Sequence, residues 1–253
     1  MTVDPVCGRD LTERTAAVAA LHEGRLYYFC SHEHRDVFVR DPAAYAARVP
    51  AMALKAGVMA SASGNMPADV RAAAKGVGRA IAERRMVLVT GAAPGLPHDS
   101  AEGAQAAGGL SIGISPALSL DEHVNTFHSP ADVFDVIIYT GSGLMGREIV
   151  NIRSSDMVVI IGGHSGTLGE FAIAFDEGKL IGVLEGTGGV ADIVPRLVEA
   201  IDKETGAVVL YDTDPERLVA RLVENYVTSH FRRPSVFVRN NRLGADREVP
   251  TCR

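Results

Sequence analysis

The chain has 253 residues, with 25 Lys and Arg against 31 Asp and Glu, a formal net charge of −6 at pH 7. Non-specific nucleic-acid binding depends on basic side chains that neutralise phosphates, so this charge argues against nucleic acid as a partner. No apolar run approaches the roughly 20 residues of a membrane span. The N-terminus also lacks the basic-then-apolar pattern of a signal peptide. We therefore expect a cytoplasmic protein without a membrane partner.

The first 46 residues differ in composition from everything after them. They hold two of the three cysteines, Cys7 and Cys30, and a run of aromatic residues at 27–29. A segment this short buries little apolar surface and would gain stability from a bound metal. With an odd number of cysteines in a reducing compartment, thiols or metal ligands are favoured over disulfides.

Three motifs of this segment are DPVCGRDL at 4–11, YYFCSHEHRDVF at 27–38 and DPAAY at 41–45. Together they resemble the YHS domain, a small module associated with metals, although His34 stands where that family has a further cysteine. Cys30 and His34 share a helical face if a helix starts near Ser31, and Cys7 would join them from the preceding loop. Cys7, Cys30 and His34 suit zinc best, with copper or iron as alternatives. The other interpretation is a metal-free fold with buried thiols.

Residues 47–54 are interpreted as a short linker, after which apolar runs alternate with helical patterns, an order typical of βα units around a parallel sheet. Strands are predicted near 56–61, 86–90, 109–114, 133–140, 157–161, 180–184 and 207–211. Helices are predicted near 67–84, 97–107, 143–153, 167–177, 189–203 and 214–228, with Pro97 and Pro215 in first turns. The fold class is therefore α/β, a Rossmann-like parallel sheet flanked by helices over 55–228 behind the small N-terminal metal-type module.

The end of the chain, 229–253, is rich in arginine. Its arginines are Arg232, Arg233, Arg239, Arg242, Arg247 and Arg253. Such a run is usually a solvated tail or an arm laid on a partner subunit.

The stretch from 157 to 170 gives the strongest functional signal. The apolar run 157–161 indicates a strand buried on both faces. A glycine turn and a helix start follow at once, which places backbone N–H groups and the positive end of a helix dipole at one point. This arrangement predicts an anion site, usually for phosphate. The alternative is a capping box that needs no ligand, with Thr167 as N-cap and Glu170 three residues later.

Small-residue loops follow four predicted strands, at 60–65, 90–95, 139–143 and 161–166. Because ligands gather beyond the carboxyl ends of parallel strands, these loops predict a backbone-lined cleft. The candidate binding residues are Ser61, Ser63, Gly64, Gly91, Gly95, Gly162, Gly163, His164, Ser165, Gly166 and Thr167. The sequence GSGLMG at 141–146 fits a dinucleotide loop, but the next strand ends without the acid that would hold a ribose. NAD is therefore disfavoured.

Residues 56–228 resemble the Lonely Guy family and its wider Rossmann-like relatives. The family signature is a helical arginine, a strand and then P-G-G-x-G-T-x-x-E. Arg147 stands at the arginine position, and the loop and helix are matched by Gly162, Gly163, Gly166, Thr167 and Glu170. Ile161 replaces the proline, one residue is inserted in the loop, and Glu148 replaces the usual lysine after the arginine. With Asn151 four residues after Arg147, the pattern is closer to outlying branches that include molybdenum-cofactor carrier proteins.

The resemblance implies hydrolysis of the base–ribose bond of a nucleoside 5′-monophosphate. Glu170 would stabilise positive charge on the ribose or orient water, and Arg147 would hold the nucleotide and stabilise the departing base. Asn151 would belong to the same nucleotide site. The alternative is a non-catalytic carrier or sensor of a nucleotide-like cofactor, with the N-terminal module responding to metal. The resemblance also implies a homodimer with Arg147 near the subunit boundary.

Overall fold

The N-terminal part of the computed structural model, which describes residues 2–62 and 65–232, is built from two small antiparallel strand pairs and two helices. The pairs are β1 (Thr2–Val3) with β2 (Asp10–Leu11) and β3 (Val18–His22) with β4 (Arg25–Phe29). The helices are α1 (His32–Arg40) and α2 (Ala43–Ala46). Ser31 is the N-cap of α1, which confirms the predicted helix start.

The rest of the described chain alternates strands and helices, as predicted. The strands are β5 (Lys55–Ala60), β6 (Val87–Thr90), β7 (Leu110–Ser115), β8 (Val136–Tyr139), β9 (Met157–Ile161), β10 (Leu180–Leu184) and β11 (Val208–Asp212). The helices are α3 (Ala68–Glu83), α4 (Leu96–Ala106), α5 (Gly143–Ser154), α6 (Ser165–Asp176), α7 (Gly189–Ile201) and α8 (Pro215–Thr228). Pro97 and Pro215 lie in first turns, as expected. A short π-helix, Glu122–Thr126, and a 3-10 turn, His230–Arg232, were not predicted.

Within the described residues, strands β5 to β11 form one parallel sheet in the order β11-β10-β9-β5-β6-β7-β8. The chain winds outward from β5 through β8, then returns to place β9 on the other side of β5. The strand order therefore reverses between β5 and β9. Ligands of open α/β sheets bind at the carboxyl ends of the strands at such a switch point.

Helices cover both faces of this sheet. One face packs against α3, α4 and α8, and the other against α5, α6 and α7. Alternate residues of a strand therefore enter different cores, as Val58 and Met59 of β5 do. Two-sided burial explains why β9 is apolar at every position, since none of its side chains meets water.

The N-terminal hairpin β3–β4 lies between a small core of its own and the main core. Phe29 and Phe38 pack on one side, whereas Leu26 and Tyr28 contact the main cluster. The segment interpreted as a linker lies against this hairpin, because the N–H of Leu54 donates to the carbonyl of Gly24 at 2.8 Å. The small segment is thus fixed to the sheet by apolar contact and by hydrogen bonds.

Several predicted features fall outside the described residues. They are Ser63, Gly64 and the chain from Arg233 to Arg253, which holds most of the arginine-rich end. Among the helices described, none has the length and apolar character needed to cross a bilayer.

Candidate functional site

The turn after β9 has a backbone that only glycine adopts readily. Gly162 has φ of +58° and Gly163 has φ of +104°. Their carbonyls accept the N–H groups of Ala191 at 2.9 Å and Val190 at 3.0 Å, and the Gly162 N–H donates to Oγ1 of Thr187 at 2.9 Å. The loop between β10 and α7 therefore fixes the turn. Thr187 was missed by the sequence analysis because its contact crosses 25 residues.

Helix α6 starts at Ser165, two residues earlier than predicted, with His164 in an extended conformation before it. Thr167 lies inside the first turn, so the capping box with Thr167 as N-cap is wrong. The N–H of Leu168 closes that turn on the carbonyl of His164 at 3.0 Å. The N–H groups of the three residues before Leu168 therefore point out of the helix end, the arrangement that binds anions.

Arg147 reaches this region from α5 and is only 9% exposed. Its Nη1 donates to the carbonyl of Gly91, and a Cβ at position 91 would collide with the guanidinium. Gly91 is therefore required by the close approach of Arg147. Among the described residues, Nε of Arg147 is buried and has no hydrogen-bond partner. A charged group with a free donor inside the fold is suited to holding a ligand.

Glu170 lies one turn into α6 and is 7% exposed. Burial raises the pKa of its carboxyl to about 7, although the charge of Arg147 lowers it and the charge of Glu148 raises it further. A hydrogen bond from Asn151 also favours the ionised form. The Asn151 amide donates to Sδ of Met59 at 3.1 Å, and in the described structure its Oδ1 has no partner. Glu170 can therefore gain or lose a proton near neutral pH.

Arg147 and Glu170 line a cavity of about 170 Å³ beyond the ends of β5, β6 and β9. The predicted site residues that it brings together are Ser61, Gly91, Arg147, His164, Gly166, Thr167 and Glu170. Ser61 and His164 contact each other across the cavity, with 3.2 Å between Oγ and Nδ1. The predicted residues that do not line the cavity are Gly95, Asn151, Gly162, Gly163 and Ser165. Residues 139–143 do not contribute to the wall either, since β8 lies at the far edge of the sheet.

Glu148 lines the cavity as well, although the sequence marked it only as a departure from a family pattern. Its side chain follows Arg147 on α5 and is 4% exposed. Burial raises the pKa of this carboxyl, with Arg147 lowering it in part. The sequence signal that could have identified Glu148 is the acid next to Arg147, at a position where the family usually has a lysine.

A second cavity, of about 840 Å³, lies below the sheet beside the N-terminal hairpin. Its wall includes Tyr28, Tyr226 and the ion pair between Lys55 and Asp156, whose Nζ and Oδ2 are 2.7 Å apart. This cavity is larger, but its charged groups neutralise each other. The smaller cavity holds the helix N-terminus, and its wall includes Arg147 and Glu148, whose Nε and Oε2 are buried without partners among the described residues, so it is the candidate site.

Comparison with known proteins identifies the sheet domain. The sequence model of the SLOG cluster4 family matches residues 53–219. The chain belongs to the SLOG cluster4 family. A protein of Archaeoglobus fulgidus described as uncharacterized is 37% identical over 109 residues, which are 43% of this chain and 66% of that protein.

Two solved structures are also similar to this chain. The molybdenum cofactor binding protein of Rippkaea orientalis is 26% identical, with a TM-score of 0.57 over 69% of this chain and 98% of that one. The Moco carrier protein of Chlamydomonas reinhardtii is 27% identical, with a TM-score of 0.56 over 68% and 98%. The predicted α/β fold of the Lonely Guy superfamily is therefore confirmed.

The N-terminal residues before the SLOG match contain a separate polar cluster. Sγ of Cys7 lies 3.8 Å from Sγ of Cys30, which lies 3.2 Å from Nδ1 of His34. Two sulfurs bound to one tetrahedral zinc ion at about 2.3 Å each lie roughly 3.8 Å apart. The spacing of the two sulfurs thus fits zinc, and the imidazole of His34 lies beside them.

Asp4 completes this cluster and was missed as a candidate ligand. It is fully buried, and its Oδ2 lies 3.0 Å from Nδ1 of His34. Burial acts to raise the pKa of Asp4, but hydrogen bonds from the Cys30 N–H, His34 and the Val6 N–H outweigh it, so the pKa lies below its ordinary value. Asp4, Cys7, Cys30 and His34 could together hold a metal ion. The contacts of Asp4 span up to 30 residues and are not visible in a local pattern.

Proposed function

We propose that the cavity between α5 and α6 binds a nucleotide-like molecule by its phosphate and hydrolyses the N-glycosidic bond of a nucleoside 5′-monophosphate. The observation that carries this proposal is that Arg147 and Glu170 lie together in the wall of this cavity. Both are more than nine-tenths buried, and both lie beside the open N-terminus of α6.

The dimensions of the cavity support a phosphate and its sugar as the buried part of the ligand. A volume of about 170 Å³ is smaller than the roughly 300–1,000 Å³ of pockets that enclose a whole ligand. The phosphate would accept hydrogen bonds from the N–H groups of Gly166 and Thr167 at the helix end. The base would extend toward the opening.

The charged residues suit the reaction. Hydrolysis breaks the bond between C1′ and the base nitrogen, whose electrons leave with the base, while water supplies a hydroxyl to C1′ and a proton to the base. Positive charge develops on the ribose, so an ionised Glu170 beside it lowers the barrier or takes the proton from water. Arg147 would stabilise the charge on the departing base.

Incubation of the purified protein with AMP and other nucleoside 5′-monophosphates, followed by chromatography for free base, tests this function. We expect base release by the wild type and its loss in Glu170→Ala. Glu199→Ala, which alters an exposed acid on α7, is the matched control and should keep full activity. An inactive wild type would contradict the hydrolase proposal.

A carrier of a nucleotide-like cofactor is the second candidate function. It is favoured by the 26–27% identity to a molybdenum cofactor binding protein and a Moco carrier protein over 98% of their lengths. Such a carrier would use the same phosphate site without bond cleavage. Retention of AMP or a copurified phosphate ester, without release of base, would support the carrier over the enzyme.

We also propose that the N-terminal cluster binds zinc through Cys7, Cys30 and His34, with Asp4 as the fourth group, as the YHS resemblance suggests. The contacts of 3.8 Å between sulfurs and 3.2 Å from sulfur to imidazole support this set. Zinc would join the two strand pairs and α1 of this segment. Metal analysis should find zinc in the wild type and in Cys252→Ser but not in Cys30→Ser. Equal metal content in all three proteins would contradict the site.

A homodimer is the assembly we propose, with α5 close to the boundary. Leu144 and Met145 on this helix are 57% and 71% exposed, and Ile138 on the edge strand β8 is 45% exposed. Burying these side chains against a second copy would remove apolar surface from water. Light scattering should report a dimer for the wild type and a monomer for Met145→Glu. A monomeric wild type would contradict the proposal.

A further inference from the structure

Glu148 is buried to an extent that is unusual for an acidic residue. It is 4% exposed and enters the same cavity as Arg147. Within the described residues, its Oε2 is buried without a hydrogen-bond partner. An unpartnered carboxyl of this kind costs free energy unless a ligand or a proton compensates it.

The first turns of α6 are shaped around this carboxyl. A Cβ at Gly169 would lie 3.0 Å from Oε2 of Glu148, and one at Gly166 would lie 3.4 Å from Oε1. Glycine within a helix is destabilising relative to alanine. Gly169 stands at a position that the glycine-loop signature leaves unspecified. The close approach of Glu148 explains why this residue is a glycine. It leaves room for the carboxyl of Glu148 against the helix.

The charges in the cavity wall do not favour an anion when both acids are ionised. Arg147 contributes one positive charge, whereas Glu148 and Glu170 contribute two negative charges. His164 faces them from the loop before α6, with its Nδ1 at 3.2 Å from Oγ of Ser61. Burial raises the pKa of both acids, that of Glu170 to about 7, and Glu148 contributes to that rise. Because the charge of Glu148 contributes to the rise at Glu170, the protonation of one acid affects that of the other.

We infer that Glu148 is a ligand-contacting residue that shares one proton with Glu170 when a phosphate ester is bound, so that binding takes up a proton from solvent. The inference rests on the proposed phosphate site. One carboxyl then donates a hydrogen bond to a phosphate oxygen, and the repulsion between that acid and the anion disappears. A lysine in place of Glu148 would bind phosphate without this coupling.

Calorimetric titration with AMP tests the inference, in buffers of different ionisation enthalpy between about pH 7 and pH 9. For the wild type we expect uptake of close to one proton near pH 8. The Kd should rise by up to about tenfold per pH unit. Adenosine, which lacks the phosphate, should bind without proton uptake. Glu148→Gln should take up less than half as much proton and bind AMP about tenfold more tightly than the wild type near pH 9.

Two further variants make the result decisive. Glu199→Gln removes an exposed acid far from the cavity and should behave as the wild type. Glu148→Ala also removes the like charge, so it must reduce proton uptake even if the amide variant folds poorly.

An equal pH slope in the wild type and both Glu148 variants would overturn the inference and leave the phosphate site intact. Weaker binding by Glu148→Gln at every pH would also overturn it, since the ionised carboxylate would then be the binding form. A wild type that binds no AMP would overturn the phosphate site and this inference together.

Discussion

The molecule contains two clusters of polar groups whose buried members differ in how their hydrogen bonds are satisfied. In the N-terminal cluster, Asp4 accepts hydrogen bonds from the N–H groups of Val6 and Cys30 and contacts His34. In the SLOG cavity, Nε of Arg147 and Oε2 of Glu148 have no partner among the described residues. Asp4, Arg147 and Glu148 are all buried, but of the three only Asp4 has its hydrogen bonds satisfied by the protein alone.

This difference separates Asp4, which stabilises the fold, from Arg147 and Glu148, whose free hydrogen-bonding atoms are suited to binding a ligand. A satisfied buried carboxylate contributes to folding, whereas each unsatisfied polar atom costs about 1–3 kcal/mol. Such a cost is retained at sites where binding requires it. Substitutions in the two clusters should therefore change stability in opposite directions.

The largest effect on stability is expected for Asp4→Asn. The amide loses the charge that draws hydrogen bonds from backbone N–H groups, so the free energy of unfolding should fall by roughly 2–3 kcal/mol. Denaturant unfolding of both proteins measures the loss. Asp10→Asn, at an exposed position of β2, is the control and should be nearly neutral. An unchanged midpoint in Asp4→Asn would show that the N-terminal cluster is not a stabilising element.

Gly91→Ala should have the next largest effect, and it acts on binding. The new Cβ overlaps the guanidinium of Arg147 and displaces it from the cavity. Affinity for AMP should weaken by about thirtyfold, or roughly 2 kcal/mol, the loss of a charge-assisted contact. In an Arg147→Ala background the same substitution should add little, because the displaced group is already absent. Additive losses in the double variant would mean that Gly91 acts in some other way.

The sequence could predict the features that are local in the chain. Apolar runs and helical periodicity placed the strands and helices of the sheet within about three residues, and the Gly162–Gly163 turn was read from consecutive residues. The start of α6 was misplaced because the extended conformation of His164, which ends the turn, is not encoded by a standard capping residue.

Side chains that act through the tertiary structure could not be predicted in the same way. Neighbouring residues of a helix point about 100° apart, so helical periodicity does not indicate that both Arg147 and Glu148 enter the cavity. Thr187 and Asp4 contact their partners across 25 and up to 30 residues. Their positions depend on how the strands are ordered, which a local pattern does not contain.

The pH dependence of catalysis sharpens the role of the SLOG cavity. If the ionised form of Glu170 acts, kcat for base release should rise with pH up to the pKa of Glu170 in the AMP complex, which the shared proton raises above the value of about 7 in the protein alone, and level off above it. Below that value the rate should fall by close to tenfold per pH unit. Saturating AMP is needed, because AMP binding weakens over the same range as rising pH removes the coupled proton. A flat kcat between about pH 5.5 and pH 8.5 would contradict this role of Glu170.

The smallest expected effect is a gain in stability from Glu148→Gln. The pKa of Glu148 is raised above its ordinary value of 4.5 in the folded protein, so the folded state holds its proton to higher pH than the unfolded state. Stability from this group is complete below about 4.5 and is lost as pH rises through the folded pKa. The neutral amide avoids that loss, so unfolding near pH 8 should require up to about 1 kcal/mol more than in the wild type, with little difference near pH 4. A lower stability at both pH values would show that the ionised carboxyl is satisfied within the protein, and the contrast with Asp4 would then be wrong.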